Sequence, residues 1–170
     1  QNDDTTSTEN MRISSAGNVT APNNCFVSVT KNASTNNLAV DTEHDIVFNN
    51  EIEDNQSTYD NSTGIFTAPV DGYYHFEVFL RLSQVDTSTD DNIQLRLETG
   101  GDIDHYVVMT TDGFDRDIDT FPLQLSAIVK MDENDTAKAQ FRYHASNAQT
   151  DIYGNASTSF ATKMQIRLVQ

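Results

Sequence analysis

"FNNEIEDNQSTYDNSTGIFTAPVDGYYHFEVFLRL", residues 48–82, changes character half way along. Its first half scatters aromatics and glycine among turn-forming Asn, Asp, Ser and Thr; from Gly72 onward it alternates without a break. Tyr74, Phe76, Val78, Leu80 and Leu82 fall on one face and Tyr73, His75, Glu77, Phe79 and Arg81 on the other. That period of two marks a half-buried antiparallel strand. The uneven half reads as turn, plug and turn. Gly64 supplies a backbone free to take positive φ, Phe66 plugs the sheet just beyond, and Pro69 stops pairing before the next strand. Gly72 then opens the long strand where a side chain would collide.

The same period recurs on both sides. "CFVSVT" alternates from Cys25 and "DIVFNN" resumes after a polar loop. "NIQLRLE" offers Ile93, Leu95 and Leu97 to a core; "FPLQLSAIVKM" offers Phe121, Leu123, Leu125, Ala127 and Val129. "AKAQFRYH" offers Ala137, Ala139, Phe141 and Tyr143, and "FATKMQIRLV" offers Phe160, Thr162, Met164, Ile166 and Leu168. No segment keeps a helical period. Strands this short, separated by clusters such as "TGGD", "MDEND" and "YGNAS", predict an all-β antiparallel sandwich or jelly roll of about ten strands. The fold is expected over residues 25–170. Residues 1–24 carry only Met11, Ile13 and Val19 as sizeable apolar side chains and read as a connector.

Composition narrows the partners. Lys and Arg number 10 against 26 Asp and Glu, a formal charge of −16, which argues against nucleic acid and anionic membrane surfaces. Such a surface suits metal cations or neutral ligands, and keeps a protein soluble in a salty medium. Cys25 is the single cysteine, so the chain has no disulfide within itself and no cysteine-built metal cluster. No apolar run of membrane-spanning length and no basic-then-apolar leader is read, and a soluble chain without membrane insertion is expected. Sequons at Asn18, Asn32, Asn55, Asn61, Asn134 and Asn155 are only about twice as many as this composition gives by chance.

The order Phe48, Asp54, Tyr59, Phe66, Gly72, Tyr74, Phe76, with its spacing, resembles the signature of the globular head of complement component C1q and its relatives in the tumour necrosis factor superfamily. "YDNSTGIFTAPVDGYYHF" is similar to the most recognisable core of these domains. Val78 departs from the pattern, standing where the family usually has an aromatic; it stays apolar and inward, so a smaller core contact is expected there. The resemblance runs from about Cys25 to Gln170 and implies a ten-stranded jelly roll that assembles as a homotrimer and serves as a binding head. Tyr73 and Phe79 are the outward aromatics expected at the subunit contact, or alternatively under loops of the same chain. "STENMRISSAGNVTAPNN" resembles a linker that recurs ahead of terminal domains in phage tail fibres and other virion appendages.

Enzymatic chemistry finds no purchase. His44, His75, His105 and His144 are dispersed, with no HExxH and no GxSxG, and abundance makes any carboxylate pair uninformative. The most interesting acidic cluster is "TDGFDRDID", where Asp112, Asp115, Asp117 and Asp119 present alternate hard oxygens of the kind calcium takes. Heads of the resembled family often carry calcium near the trimer axis through a loop at about this place. A solvated acidic loop is the plainer alternative, and "DTSTDDN", with Asp86, Asp90 and Asp91, is a weaker candidate.

The expected protein is therefore not an enzyme but a homotrimeric head of a viral fibre or virion-surface appendage. It sits among other virion proteins and presents loops 83–92, 100–105 and 144–158 to a host-surface receptor or glycan. The alternatives are a secreted, extracellular lectin-like recognition protein, and a structural capsid decoration or trimerising cap for which loop residues such as Asp151 and Tyr153 would not matter to attachment.

Overall fold

The computed structural model describes residues 11–17, 19–21, 24–85, 92–100, 104–111, 114, 116–145, 150–156 and 162–169. Its regular elements are all strands. They are β1 (Arg12–Ile13), β2 (Val19–Thr20), β3 (Phe26–Thr30), β4 (Ala33–Thr35), β5 (Glu43–Asp45), β6 (Asn50–Asp54), β7 (Tyr59–Asp60) and β8 (Ile65–Thr67), followed by β9 (Gly72–Val85), β10 (Asn92–Thr99), β11 (His105–Thr110), β12 (Ile118–Met131), β13 (Thr136–His144), β14 (Asp151–Asn155) and β15 (Lys163–Leu168). The long alternating strand of the opening stretch is the spine. β12 pairs with β9 from Gly72 opposite Met131 to Val85 opposite Ile118. The other side of β9 carries β15 and then β14, end to end. β3 and β6 extend this seven-stranded sheet beyond β15, and β4 extends it beyond β14.

A second sheet of six strands runs β11, β10, β13, β8, β7, with β5 sharing the outer edge of β13 with β8. The alternation decides what lies between the sheets. Tyr74, Phe76, Val78, Leu80 and Leu82 of β9, Ile93, Leu95 and Leu97 of β10, Ala139 of β13, and Met164 and Ile166 of β15 are completely buried. Burying each large side chain is worth about 1.5–3 kcal/mol, enough to hold the sandwich once many are combined. Val78 is wholly enclosed, as its inward position requires.

The uneven half of the opening stretch also becomes intelligible. Phe66 meets Tyr74 edge-on at 5.4 Å and Phe76 at 5.6 Å, so one plug joins two sheets. Tyr59 is buried and its hydroxyl oxygen accepts the Phe48 amide at 3.1 Å, while Tyr74 donates to the Val70 carbonyl at 2.7 Å. Asp54 accepts from the Tyr59 amide at 2.8 Å and from the Thr58 hydroxyl at 3.2 Å, which turns the chain into β7. Gly64 adopts φ +81°, and a Cβ there would stand 3.0 Å from the Ile46 carbonyl oxygen.

The fifteen described strand segments exceed the expected ten because short segments such as β4, β5 and β7 flank the long ones, and β1 pairs with β2 as a separate ribbon. "DIVFNN" is not one strand. Residues 46–49 form an extended crossing that leaves β5 in one sheet and enters β6 in the other, burying Ile46 and Phe48 on the way. Alternation survives there because burial, not ladder pairing, sets it. Pro122 lies inside β12 opposite Arg81, a place open to proline because β12 pairs with β9 alone among the described residues. Phe160 lies outside the described residues.

Candidate functional site

The outer face of the seven-stranded sheet is built by the odd positions of β9, the even positions of β12 and the odd positions of β15. Arginine can only donate, so Arg167, at 3.0 and 3.2 Å from Nδ1 of His75, fixes the imidazole hydrogen on Nε2. That hydrogen is directed at the Ser126 hydroxyl, 2.9 Å away. Gln124 donates to Glu77 at 3.2 Å. Phe79 sits half-buried in a small hollow with Glu77, Gln124, Lys163 and Gln165, and Tyr73 stands half-exposed at the end of the strand. Both expected contact aromatics thus lie on one outward face, with no strand of the chain's described residues layered over them.

Sequence reasoning missed the apolar side chains beside them. Ile128 of β12 projects from the same face with 62% of its surface exposed. On β11, which lies against β12 across the open side of the sandwich, Tyr106 and Val108 are also exposed. A signal was present: "HYVVMT" places apolar residues on both faces of a strand, and Ile128 interrupts an otherwise polar outward row of Gln124, Ser126 and Lys130.

Of the acidic cluster, Asp117 and Asp119 are exposed at the start of β12, whereas Asp112 and Asp115 lie outside the described residues. Among the described residues no group of three or more His, Cys, Asp or Glu side chains could hold a metal. Asp86, Asp90 and Asp91 also lie outside the described residues.

The expected recognition loops shrink. Residues 83–85 belong to β9, residue 92 to β10, residue 105 to β11 and residue 144 to β13, while 86–91, 101–103, 146–149 and 157–158 are not described. Asp151 and Tyr153 are strand residues of β14. Asp151 is buried and accepts the Asn37 amide at 2.8 Å; Tyr153 lies 4.0 Å under the Arg81 guanidinium, and its hydroxyl accepts from Asn155 at 2.9 Å. Both are engaged in holding the chain together. Cys25 is buried, and that burial pushes its thiol up, partly offset by the Thr58 hydroxyl. The histidines sit in separate settings, His44 on the Ala39 carbonyl at 2.8 Å and His144 on Asp41 at 2.6 Å.

Among the described residues no helix is long and apolar enough to cross a membrane. The C1q domain family matches residues 26–162. By structure the chain is similar to the globular domain of zebrafish complement 1qA, with a TM-score of 0.61 and 14% identity over 86% of this chain and 98% of that one. It is similar also to the Eiger TNF of S. frugiperda, with a TM-score of 0.58 and 13% identity over 86% and 93%. Murine APRIL gives a TM-score of 0.54 and 10% identity over 86% and 99%. No curated protein matches by sequence.

Proposed function

Because the chain belongs to the C1q domain family, and is thereby a non-enzymatic globular domain of the C1q/TNF type, we propose that it is the trimeric head of a virion fibre or appendage that binds a host-surface receptor or glycan. The observation that carries self-assembly is the uncovered outer face of the seven-stranded sheet. Tyr73, Phe79 and Ile128 lie on it, and Tyr106 and Val108 flank it on the neighbouring edge. A face of this kind on an otherwise strongly acidic surface is one a second copy would cover. The virion setting rests on "MRISSAGNV", residues 11–19, whose ribbon precedes the sandwich. Three identical sites on one axis would gain avidity of about a hundredfold or more where they engage together.

Calcium belongs to this reading through the sequence cluster Asp112, Asp115, Asp117 and Asp119, whose alternate carboxylates are hard oxygens of the kind calcium takes. The test is intact mass under native conditions, with and without a calcium chelator. The reading expects three times 18.9 kDa without added glycan, and chelator-induced dissociation if the acidic loop holds calcium. A monomer under all conditions would overturn it. A secreted recognition head is the second reading, favoured by the exposure of Asn32, Asn61 and Asn134. Glycan mass on those sites would select it. Asn55 is a poorer acceptor, because its amide already donates to the Asn24 carbonyl at 2.6 Å and its oxygen accepts the Phe26 amide at 2.9 Å.

A further inference from the structure

The outward face of the seven-stranded sheet, assigned above to self-contact, has a histidine at its middle. His75 of β9 lies opposite Ile128 of β12 on one side and Arg167 of β15 on the other, and Tyr73 precedes it by two positions on the same face. Two large exposed side chains therefore border it, Ile128 and Tyr73. Its ring is held from both ends. Arg167 Nε and Nη2 stand 3.2 and 3.0 Å from Nδ1, and the Ser126 hydroxyl stands 2.9 Å from Nε2.

A guanidinium has five N–H donors, no acceptor and no neutral form at any pH a protein meets. Nδ1 of His75 therefore meets Arg167 as a lone pair, which only the neutral imidazole offers. A proton on Nδ1 would set donor against donor and cation against cation at the same 3.0 Å. The other groups around the ring decide whether anything offsets that. β9 brings Tyr73 and Glu77, β12 brings Lys130 beyond Ile128, β15 brings Arg167, and β3 brings only the uncharged Phe26 and Ser28. Glu77 is the single carboxylate among them, and it is already engaged by the Gln124 amide at 3.2 Å.

In the separate chain the clash has an outlet, because His75 is half-buried and Arg167 exposed, so either side chain can swing into water. A covering subunit closes that outlet. The charge would then stay beside Arg167, bordered by Ile128 and Tyr73, with water excluded. The assembled state thus binds the proton less readily than the separate chain, and a difference of that kind couples association to pH. We infer that His75 is an acid-sensitive latch on the self-contact: copies hold together while its imidazole is neutral and separate when a mildly acidic medium protonates it. The sign follows from the proton count, association weakening as pH falls through the imidazole range around about 6.5. The latch rests on the self-contact proposed above; it holds whichever surface of the neighbour covers the face, and whether the head belongs to a virion or to a secreted protein.

The test follows native mass at about pH 7.5 and about pH 5.5, with calcium held constant, for the natural chain, His75→Asn and Arg167→Gln. Asparagine keeps an acceptor near the place of Nδ1 and takes no proton. The natural chain is expected at three times 18.9 kDa at the higher pH and to dissociate about tenfold or more readily at the lower, with strand content unchanged by circular dichroism. His75→Asn is expected to stay assembled at both. Arg167→Gln keeps the histidine but removes the fixed cation; it is expected to lose most of the pH response, and it tests the same point should the asparagine variant fail to assemble. A natural chain that stays trimeric at both pH values would overturn the latch and leave the self-contact standing. Equal acid dissociation in the natural chain and both variants would also overturn it, by placing the proton elsewhere. A natural chain that is monomeric at the higher pH would overturn the self-contact and the latch together.

Discussion

Gly64 is the residue on which the opening stretch turns. An L side chain at its φ of +81° costs about 1–2 kcal/mol, and the added Cβ would press on the Ile46 carbonyl oxygen. Gly64→Ala is expected to lose about 2 kcal/mol in urea unfolding with an unchanged slope. Gly17 offers the control. It has the same φ of +81° with nothing within 4 Å of its added Cβ, and it lies in the β1–β2 ribbon outside the sandwich, so Gly17→Ala should leave sandwich stability alone. Tyr59→Phe removes the acceptor of the buried Phe48 amide and is expected to cost about 1–3 kcal/mol by the same measurement. These roles were legible in sequence because glycine and aromatics at odd intervals have few other uses. That Gln140 Oε1 is buried without a partner was not, since whether a polar atom has one depends on segments distant in the chain, here β5 and β13.

At the scale of elements, period-two alternation located β9, β10, β12, β13 and β15, because each presents one face to the core for its whole length. It failed at "DIVFNN", where a crossing between sheets buries Ile46 and Phe48 as a strand would, and it said nothing of β11, whose two faces are both apolar. The β5–β13 junction carries a pH dependence of definite sign. Burial works to raise the Asp45 carboxyl, but the Gln140 amide and Lys138 outweigh it and leave it below the ordinary carboxylate range. A folded-state value below the unfolded one means that the native chain binds fewer protons. The stabilisation is then complete above the unfolded value of about 3.9 and is lost as pH falls through the folded one. Asp45→Asn removes that response. Urea unfolding at about pH 5 and about pH 2.5 should show the natural chain losing more stability than the variant over that interval. Parallel losses in the two proteins would mean that the carboxylate is solvated in the native state.

For the whole molecule, one chain's sequence specified a sandwich with an inside and an outside but not which outer face meets another copy, because that information lies in the complementarity of two surfaces. Tyr73 and Phe79 lie on the outward face of the seven-stranded sheet, and Ile128, Tyr106 and Val108, read only from the fold, lie on it or flank its edge. The consequence is testable without disturbing the core. Ile128 and Val108 are 62% and 56% exposed in the single chain, and substitutions at such positions usually change monomer stability by no more than about 0.5 kcal/mol. In the proposed trimer two aspartates placed there would instead confront like charges across each subunit contact, on a molecule already at −16, and would need to be desolvated to remain in it. The paired substitution Ile128→Asp and Val108→Asp is therefore expected to give a folded monomer of about 18.9 kDa by native mass, with strand content unchanged by circular dichroism. A variant that stays at three times that mass would place the contact elsewhere, and Tyr73 and Phe79 would then have to be read as surface aromatics of a head joined through another face.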